Sequence, residues 1–277
     1  MPAKTWVDLG VRVSDSRMFR EDKIWSQYSN NKVDVGETLA RVMRTLIKAL
    51  PLAKPMRALS IGSSNEPQFR NLQTAFAGGL YLLDIEKEAL DVIRERTRRQ
   101  GTKNVVPIHG DYKKIFLDAG AAKLFLRKNL GGKRVELITL HHSMYYCEQK
   151  YWVPMLRNLF RYILAPRGAV HAVLMASDSA DRFSTTWMYN HFAGKYFGHR
   201  NDQSFPLLKS ALGRDELFAG AQLLLGRHTV RAWVDDFEKL MAIVWMILLY
   251  PSVHPYSLEQ RREITRWVHG HFFAKKK

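Results

Sequence analysis

Arg57-Ala-Leu-Ser-Ile-Gly-Ser-Ser-Asn-Glu66 and, further on, Leu80-Tyr-Leu-Leu-Asp-Ile-Glu86 are the stretches on which the reading of the fold turns. In the first, an apolar run of strand length stops at Gly62, polar residues follow, and Pro67 stands at the first turn of a helical pattern, where its missing N–H costs nothing. A glycine there lets the backbone turn tightly and approach a ligand closely. The second apolar run ends at Asp84. Its carboxylate would reach the same edge of a sheet and could accept hydrogen bonds from a ribose diol. The pair predicts a nucleoside-binding crevice. A dinucleotide such as NAD fits less well. Its fingerprint asks for three glycines, and Ser64 and Pro67 hold the second and third positions.

Outward from this pair, strands and helices alternate. Strands are expected at 57–61, 80–83, 105–109, 135–140 and 169–175. Helices are expected at 35–50, 67–76, 86–99, 112–130 and 152–164, the last ended by Pro166-Arg-Gly168. Parallel strands need crossover helices, so the pattern predicts an α/β fold with a mostly parallel, Rossmann-like sheet and helices on both faces. The loops after the strands then gather on one edge, where ligands bind. Beyond 175 the pattern changes. Residues 177–201 read as a long loop or inserted helix, 205–219 as a helix, 221–233 as one or two strands, 234–250 as a strongly apolar helix and 257–272 as an amphipathic one. The expected organisation is an N-terminal helical cap or lid over 1–55, a core over 56–235 with an inserted cap at 176–215, and C-terminal helices at 236–277 packed on the core. The helix at 234–250 is apolar nearly all round. Such a helix covers the core, joins a homodimer interface or meets a membrane surface, in that order of preference.

Composition limits the classes. Hydrophobic residues make up 46% of the chain, enough for a packed core. The single cysteine, Cys147, excludes an internal disulfide framework and suits a reducing compartment. No secretory signal and no transmembrane segment is expected, so the expected location is the cytoplasm. A net charge of +17 favours anionic partners. Nucleic acid is the less favoured of these, since no Arg/Gly repeat or long basic arm is present. The histidines at 171, 191, 199, 228, 254, 269 and 271 show no ligand-like spacing, and no metal site is expected. Neither a G-x-S-x-G elbow nor a phosphate-binding P-loop appears.

Five motifs in order give the stretch from 35 to 175 a resemblance to the class I S-adenosylmethionine-dependent methyltransferases. They are Leu59-Ser-Ile-Gly62, Asp84, Gly110-Asp111-Tyr112, Leu137-Ile-Thr-Leu-His-His-Ser143, and Leu164-Ala-Pro-Arg-Gly168 with the strand after it. Leu59 to Gly62, Met144-Tyr145-Tyr146 and the Ser177 to Trp187 segment are also similar to the histamine N-methyltransferase-like branch. The chain departs from the family in its first loop, where Ser63, Ser64 and Asn65 replace further glycines.

The resemblance implies a transferase that binds S-adenosyl-L-methionine, releases S-adenosyl-L-homocysteine and methylates an N or O nucleophile of a small molecule. It implies cofactor contacts at Gly62, Ser63, Ser64, Glu66, Asp84, Ile85, Asp111, Tyr112 and His141. His142 or His141 would be the base, being where the methyl acceptor is presented. As neighbours ending a strand they face opposite ways, so at most one should meet substrate. Tyr145, Tyr146, Trp187 and Tyr189 would form an aromatic wall for a cationic group. Trp25 and Tyr28 would lie in a lid over the cofactor, with Tyr28 among the substrate contacts. An RNA methyltransferase and a non-catalytic nucleoside-binding relative stand as alternatives.

Overall fold

The computed structural model of the chain describes residues 3–15, 29, 31–50, 54–62, 68–234, 236–249 and 256–274. In chain order the elements are α1 (Ala3–Val13), α2 (Asn31–Ala49), β1 (Arg57–Ile61), α3 (Phe69–Ala75), β2 (Gly79–Asp84), α4 (Lys87–Arg99), β3 (Val105–His109), α5 (Tyr112–Phe116), α6 (Ala119–Asn129), β4 (Val135–His141), α7 (Trp152–Asn158), β5 (Leu164–Val173), α8 (Thr185–Phe197), α9 (Phe205–Gly213), α10 (Phe237–Leu249) and α11 (Leu258–Val268). Short 3-10 and π turns lie between some of them. The chain divides into two compact units. The described residues of Lys32–Leu174 and Ser204–His228 make a sheet unit, and those of Met1–Asn31, Met175–Gln203 and Thr229–Lys277 make a helical unit. The expected segment 1–55 is thus divided: α1 groups with the helical unit and α2 with the sheet.

In the sheet unit the strands are all parallel, in the order β3-β2-β1-β4-β5. This is the expected Rossmann-like sheet. Every residue of β1 and β4 is buried, as continuous apolar strands covered on both faces should be. On one face Ala58, Leu80, Leu82 and Leu137 pack with Leu39 and Leu46 of α2, Leu72 of α3 and Leu90 of α4. On the other, Leu59, Ile61, Leu83, Ile138 and Leu140 pack with Phe116 of α5, Phe125 of α6 and Trp152 of α7. The chain runs outward from β1 to β3, then returns to place β4 on the other side of β1. The strand order therefore reverses between β1 and β4, and a crevice opens outside their C-terminal ends at such a switch point.

Local chemistry accounts for several boundaries. The helix expected over 112–130 is two helices, because Asp118 caps α6 by accepting from the Ala121 N–H at 2.7 Å. The Pro166-Arg-Gly168 signal is a bulge inside β5 rather than a helix stop before it. Val135 pairs with Leu164 and Leu137 with Ala169, so the extra residues loop out where the register shifts.

The strands expected over 221–233 do not form; among the described residues the stretch makes only an isolated bridge, Ser29 to Ala232. Leu224 is 83% exposed there. Strand propensity without a paired neighbour is not enough to build a strand.

The helical unit has its own core. Met241, Val244, Trp245 and Leu248 of α10 are buried with Val13, Phe192, Ile264 and Val268. The all-round apolar helix is thus interior to this unit. The Trp245 Nε1–H donates to the Gly10 carbonyl at 2.8 Å, and a β-carbon at Gly10 would lie 2.4 Å from Thr265 Cγ2. Among the described residues no helix is long and apolar enough to cross a membrane.

Candidate functional site

The C-terminal edge of the sheet is built from four loops that hold one another. Gly62, just past β1, has φ 68° and donates its N–H to the Leu83 carbonyl at 2.8 Å. That N–H is consequently spent on the fold, and the glycine serves the site by its lack of a side chain. The Gly110 N–H reaches the Asp84 carbonyl at 2.8 Å, tying the loop after β3 to the end of β2. The Tyr112 hydroxyl donates to the Ser143 carbonyl at 2.9 Å, tying α5 to the loop after β4. A β-carbon at Gly62 would lie 2.3 Å from the Ser143 β-carbon, so the turns after β1 and β4 are in contact at the switch point.

Within this frame Asp84 is 5% exposed. One carboxylate oxygen, Oδ1, accepts from the Glu86 N–H at 2.8 Å, which fixes the side chain at the strand end. Ile85 is 61% exposed, and its carbonyl meets His109 Nε2 at 3.0 Å. Asp111 caps α5, its Oδ1 accepting from the Lys113 N–H at 2.9 Å. Tyr112 is buried, and burial, seconded by the neighbouring Cys147, raises its phenol well above the usual range. It stays a neutral donor at any working pH.

His141 ends β4 with its side chain buried, and its Nε2 lies 2.8 Å from His171 Nδ1 on β5. His142 has left-handed backbone, φ 54°, and its N–H donates to the Val173 carbonyl at 2.9 Å. Its ring stacks on Tyr145, with Nδ1 3.2 Å from the phenolic oxygen. A non-glycine residue held at positive φ costs about 1–3 kcal/mol, and such strain gathers at functional sites.

The structure thus joins Gly62, Asp84, Asp111, Tyr112, His141, His142 and Tyr145 through a run of contacts on one edge, with Tyr146 in the same short turn as Tyr145. Trp187 and Tyr189 belong to α8 in the helical unit. There Trp187 stacks on His191 and Trp267 at centroid distances of 4.5 Å and 5.5 Å. Tyr189 is fully buried, and burial pushes its phenol up to about 12. Trp25, Tyr28, Ser63, Ser64 and Glu66 lie outside the described residues.

Two residues of the edge were not singled out from the sequence. Ser143 is buried, and its hydroxyl has no hydrogen-bond partner among the described residues. Its place straight after His141-His142 was the available signal. His171 carried no signal, because its relation to His141 depends on the register of β4 against β5.

Two surface hollows lie elsewhere. One, of about 640 Å³, is lined only by helical-unit residues from Asn190 to Asp202; the other, of about 620 Å³, by residues 70–74 and 100–104.

Cys147 follows the same edge loop. It is 1% exposed, and burial pushes its thiol up to about 11. The thiolate is the reactive form, so iodoacetamide at pH 8 should label the folded protein at least about a hundredfold more slowly than the urea-unfolded chain. Equal rates in a mass-spectrometric time course would show the thiol to be open to solvent.

No protein-family model matches the sequence, and no curated protein matches it. A search of solved structures returns PKMT2 from Rickettsia typhi at 14% identity and TM-score 0.40, the match covering 62% of this chain and 31% of that one. It also returns an O-methyltransferase family protein from Burkholderia thailandensis at 13% identity and TM-score 0.40, covering 63% and 49%. A Bacillus halodurans protein provisionally described as a methyltransferase matches at 14% identity and TM-score 0.46, covering 82% and 83%. This chain therefore spans less than half the length of the first two. At such identities and scores no residue and no activity is carried across. The parallel sheet, its strand order and its switch-point loops are themselves consistent with a class I S-adenosylmethionine-dependent methyltransferase.

Proposed function

We propose that the chain is an S-adenosylmethionine-dependent methyltransferase acting on an N or O nucleophile of a small molecule. The observation that carries the reading is the contact of Gly62 with Ser143 at the switch point, one strand away from the buried Asp84 carboxylate. The donor set suits a nucleoside with an amino-acid tail. Asp84 would accept from the ribose hydroxyls. The Ser143 hydroxyl, buried without a partner among the described residues, would bond the polar tail. Asp111 and Tyr112 would border the base. When bound, the cofactor supplies a methyl group on a sulfonium that is already reactive, so much of the protein's task is alignment. His142, its ring held against Tyr145, or His141 would take the proton that the nucleophile releases.

Calorimetry with S-adenosylhomocysteine tests this. Wild-type protein should bind, and Asp84→Asn should weaken binding at least about tenfold, the loss expected for hydrogen bonds to a charged acceptor. Undiminished affinity in Asp84→Asn would remove the nucleoside reading of this edge. Absence of heat with wild-type protein would favour a relative without the activity, and protection by NADH instead would favour a dehydrogenase. The alternative of an RNA substrate has less support. Arg94, Arg98 and Arg99, in one of the densest basic runs, are paired with Asp91 and Glu95 on the same helix. An RNA-binding face would lose affinity steeply as salt rises.

A further inference from the structure

We propose that Tyr112 is a positioning residue that acts through Ser143: its hydroxyl holds the Ser143 carbonyl, so that the Ser143 hydroxyl selects nucleosides carrying an amino-acid tail over those without one. The inference deepens the transferase reading above and rests on it. It stands on a contact between α5 and the loop after β4, 31 residues apart in the chain.

Ser143 lies where the chain has left its ladder. β4 ends at His141, His142 turns left-handed at φ 54°, and a short 3-10 turn over Met144–Tyr146 follows. The bond that closes this turn is long, the Tyr146 N–H reaching the Ser143 carbonyl at 3.4 Å. The Tyr112 hydroxyl meets the same carbonyl at 2.9 Å, within the range of a well-formed hydrogen bond. Tyr112 is itself fixed. It is 8% exposed, and it opens α5, whose start Asp111 caps. Burial keeps its phenol protonated. Its one proton is spent on Ser143, so toward a ligand the oxygen could only accept.

The carbonyl and the hydroxyl belong to one residue, and holding the peptide plane after Ser143 holds the side chain too. A β-carbon at Gly62 would lie 2.3 Å from Ser143 Cβ and 3.3 Å from its Oγ. The Ser143 side chain is therefore packed on the bare side of the Gly62 turn, with its hydroxyl close to that turn. Ser143 is 3% exposed, and its Oγ has no hydrogen-bond partner among the described residues. A buried hydroxyl in that state is costly, and a ligand that supplies a partner recovers the cost. With the ribose at Asp84, the ligand's other polar end remains for Ser143. That end carries a carboxylate and an ammonium, and a hydroxyl can donate to the first or accept from the second. A nucleoside without it leaves Ser143 unsatisfied. Buried polar groups left unpaired are the strongest means of rejecting an analogue that lacks the matching group.

Calorimetry on full-length protein with two probes tests this. One is S-adenosylhomocysteine; the other is 5′-methylthioadenosine, which has a methyl group in place of the amino-acid tail. Wild type should bind the first at least about tenfold more tightly. Tyr112→Phe keeps the ring that would border the base and removes only the hydroxyl. Ser143→Ala keeps the β-carbon against Gly62 and removes only its hydroxyl. Each should weaken S-adenosylhomocysteine about fivefold or more and change 5′-methylthioadenosine by less than about twofold. In the double variant, Tyr112→Phe should add less than about twofold to the Ser143→Ala loss, because Tyr112 works through Ser143. Retained 5′-methylthioadenosine binding also shows that each variant is folded. A merely structural role predicts equal losses on both probes. Direct contact of the Tyr112 hydroxyl with ligand predicts losses that add in the double variant. Either result overturns the proposal, as does equal affinity of wild type for the two probes or an unchanged Tyr112→Phe. No heat from wild type with either probe overturns the transferase reading itself and, with it, the role of Tyr112.

Discussion

Gly62→Ala is expected to lower the stability of the sheet unit by about 3 kcal/mol or more and to abolish measurable nucleoside binding. Two costs combine. A residue with a β-carbon at φ 68° pays about 1–3 kcal/mol for left-handed backbone. The new methyl would also stand 2.3 Å from the Ser143 β-carbon, with Ser143 Cα at 3.4 Å behind it. Overpacking of that kind costs about 1–3 kcal/mol as the two loops are forced apart. The separation moves the glycine turn away from Ser143, which is why binding should fall with stability. Ser143→Gly removes the atom that clashes. In the double variant the steric part should be recovered and only the backbone part should remain, a coupling that a double-mutant cycle in urea reads directly. A Gly62→Ala protein within about 0.5 kcal/mol of wild type would mean that the two turns do not touch.

Arg57→Ala should be nearly as severe, at the opposite end of the sheet and with no direct effect on the site. Arg57 begins β1 and is 7% exposed. Its guanidinium donates to the Leu130 carbonyl at 2.6 Å, to the Arg134 carbonyl at 3.3 Å, and to the Lys133 carbonyl and the Tyr81 hydroxyl. It also lies over the Tyr81 ring at 4.8 Å. One side chain thereby fastens the α6–β4 connection to the start of β1, beside β2. Truncation leaves several acceptors without a donor, and each buried one costs about 1–3 kcal/mol if water cannot reach it. A total near 3 kcal/mol is expected, read as a fall in the urea midpoint at constant slope. Arg57→Lys should recover less than half, because an ammonium lacks the planar fork that reaches several acceptors at once. Full recovery by lysine would reduce the site to a simple charge requirement.

The central strands β1, β2 and β4 were legible because they are buried on both faces. Residues 57–61 and 105–109 form strands at the expected bounds, and those at 80–83 and 135–140 each gain one or two residues. A continuous apolar run between turn residues carries that information locally. The departures arise where the outcome depended on a distant partner. Gln222-Leu-Leu-Leu225 has strand composition but pairs with no strand among the described residues. Pro166 and Gly168, read as a helix stop, sit in a bulge that exists because β5 must realign with β4. In the site, Gly62 and Asp84 were visible as a turn and a strand-end carboxylate. Ser143 became a candidate only through its orphaned hydroxyl, and His171 only through the 2.8 Å contact with His141.

The sequence alone determined that five apolar runs separated by amphipathic helices must form a parallel sheet with its loops on one edge. Helical and strand periodicities are properties of a few consecutive residues, and parallel strands have no short connection. Tertiary structure decided which side chains meet: the turn after β1 against the loop after β4, an arginine beneath a tyrosine, one imidazole bonded to another across a ladder. It also gathered described residues from before 32, from between 175 and 203, and from after 229 into a second core. These pairings follow from strand order, register and packing among residues far apart in the chain, and no local pattern encodes them.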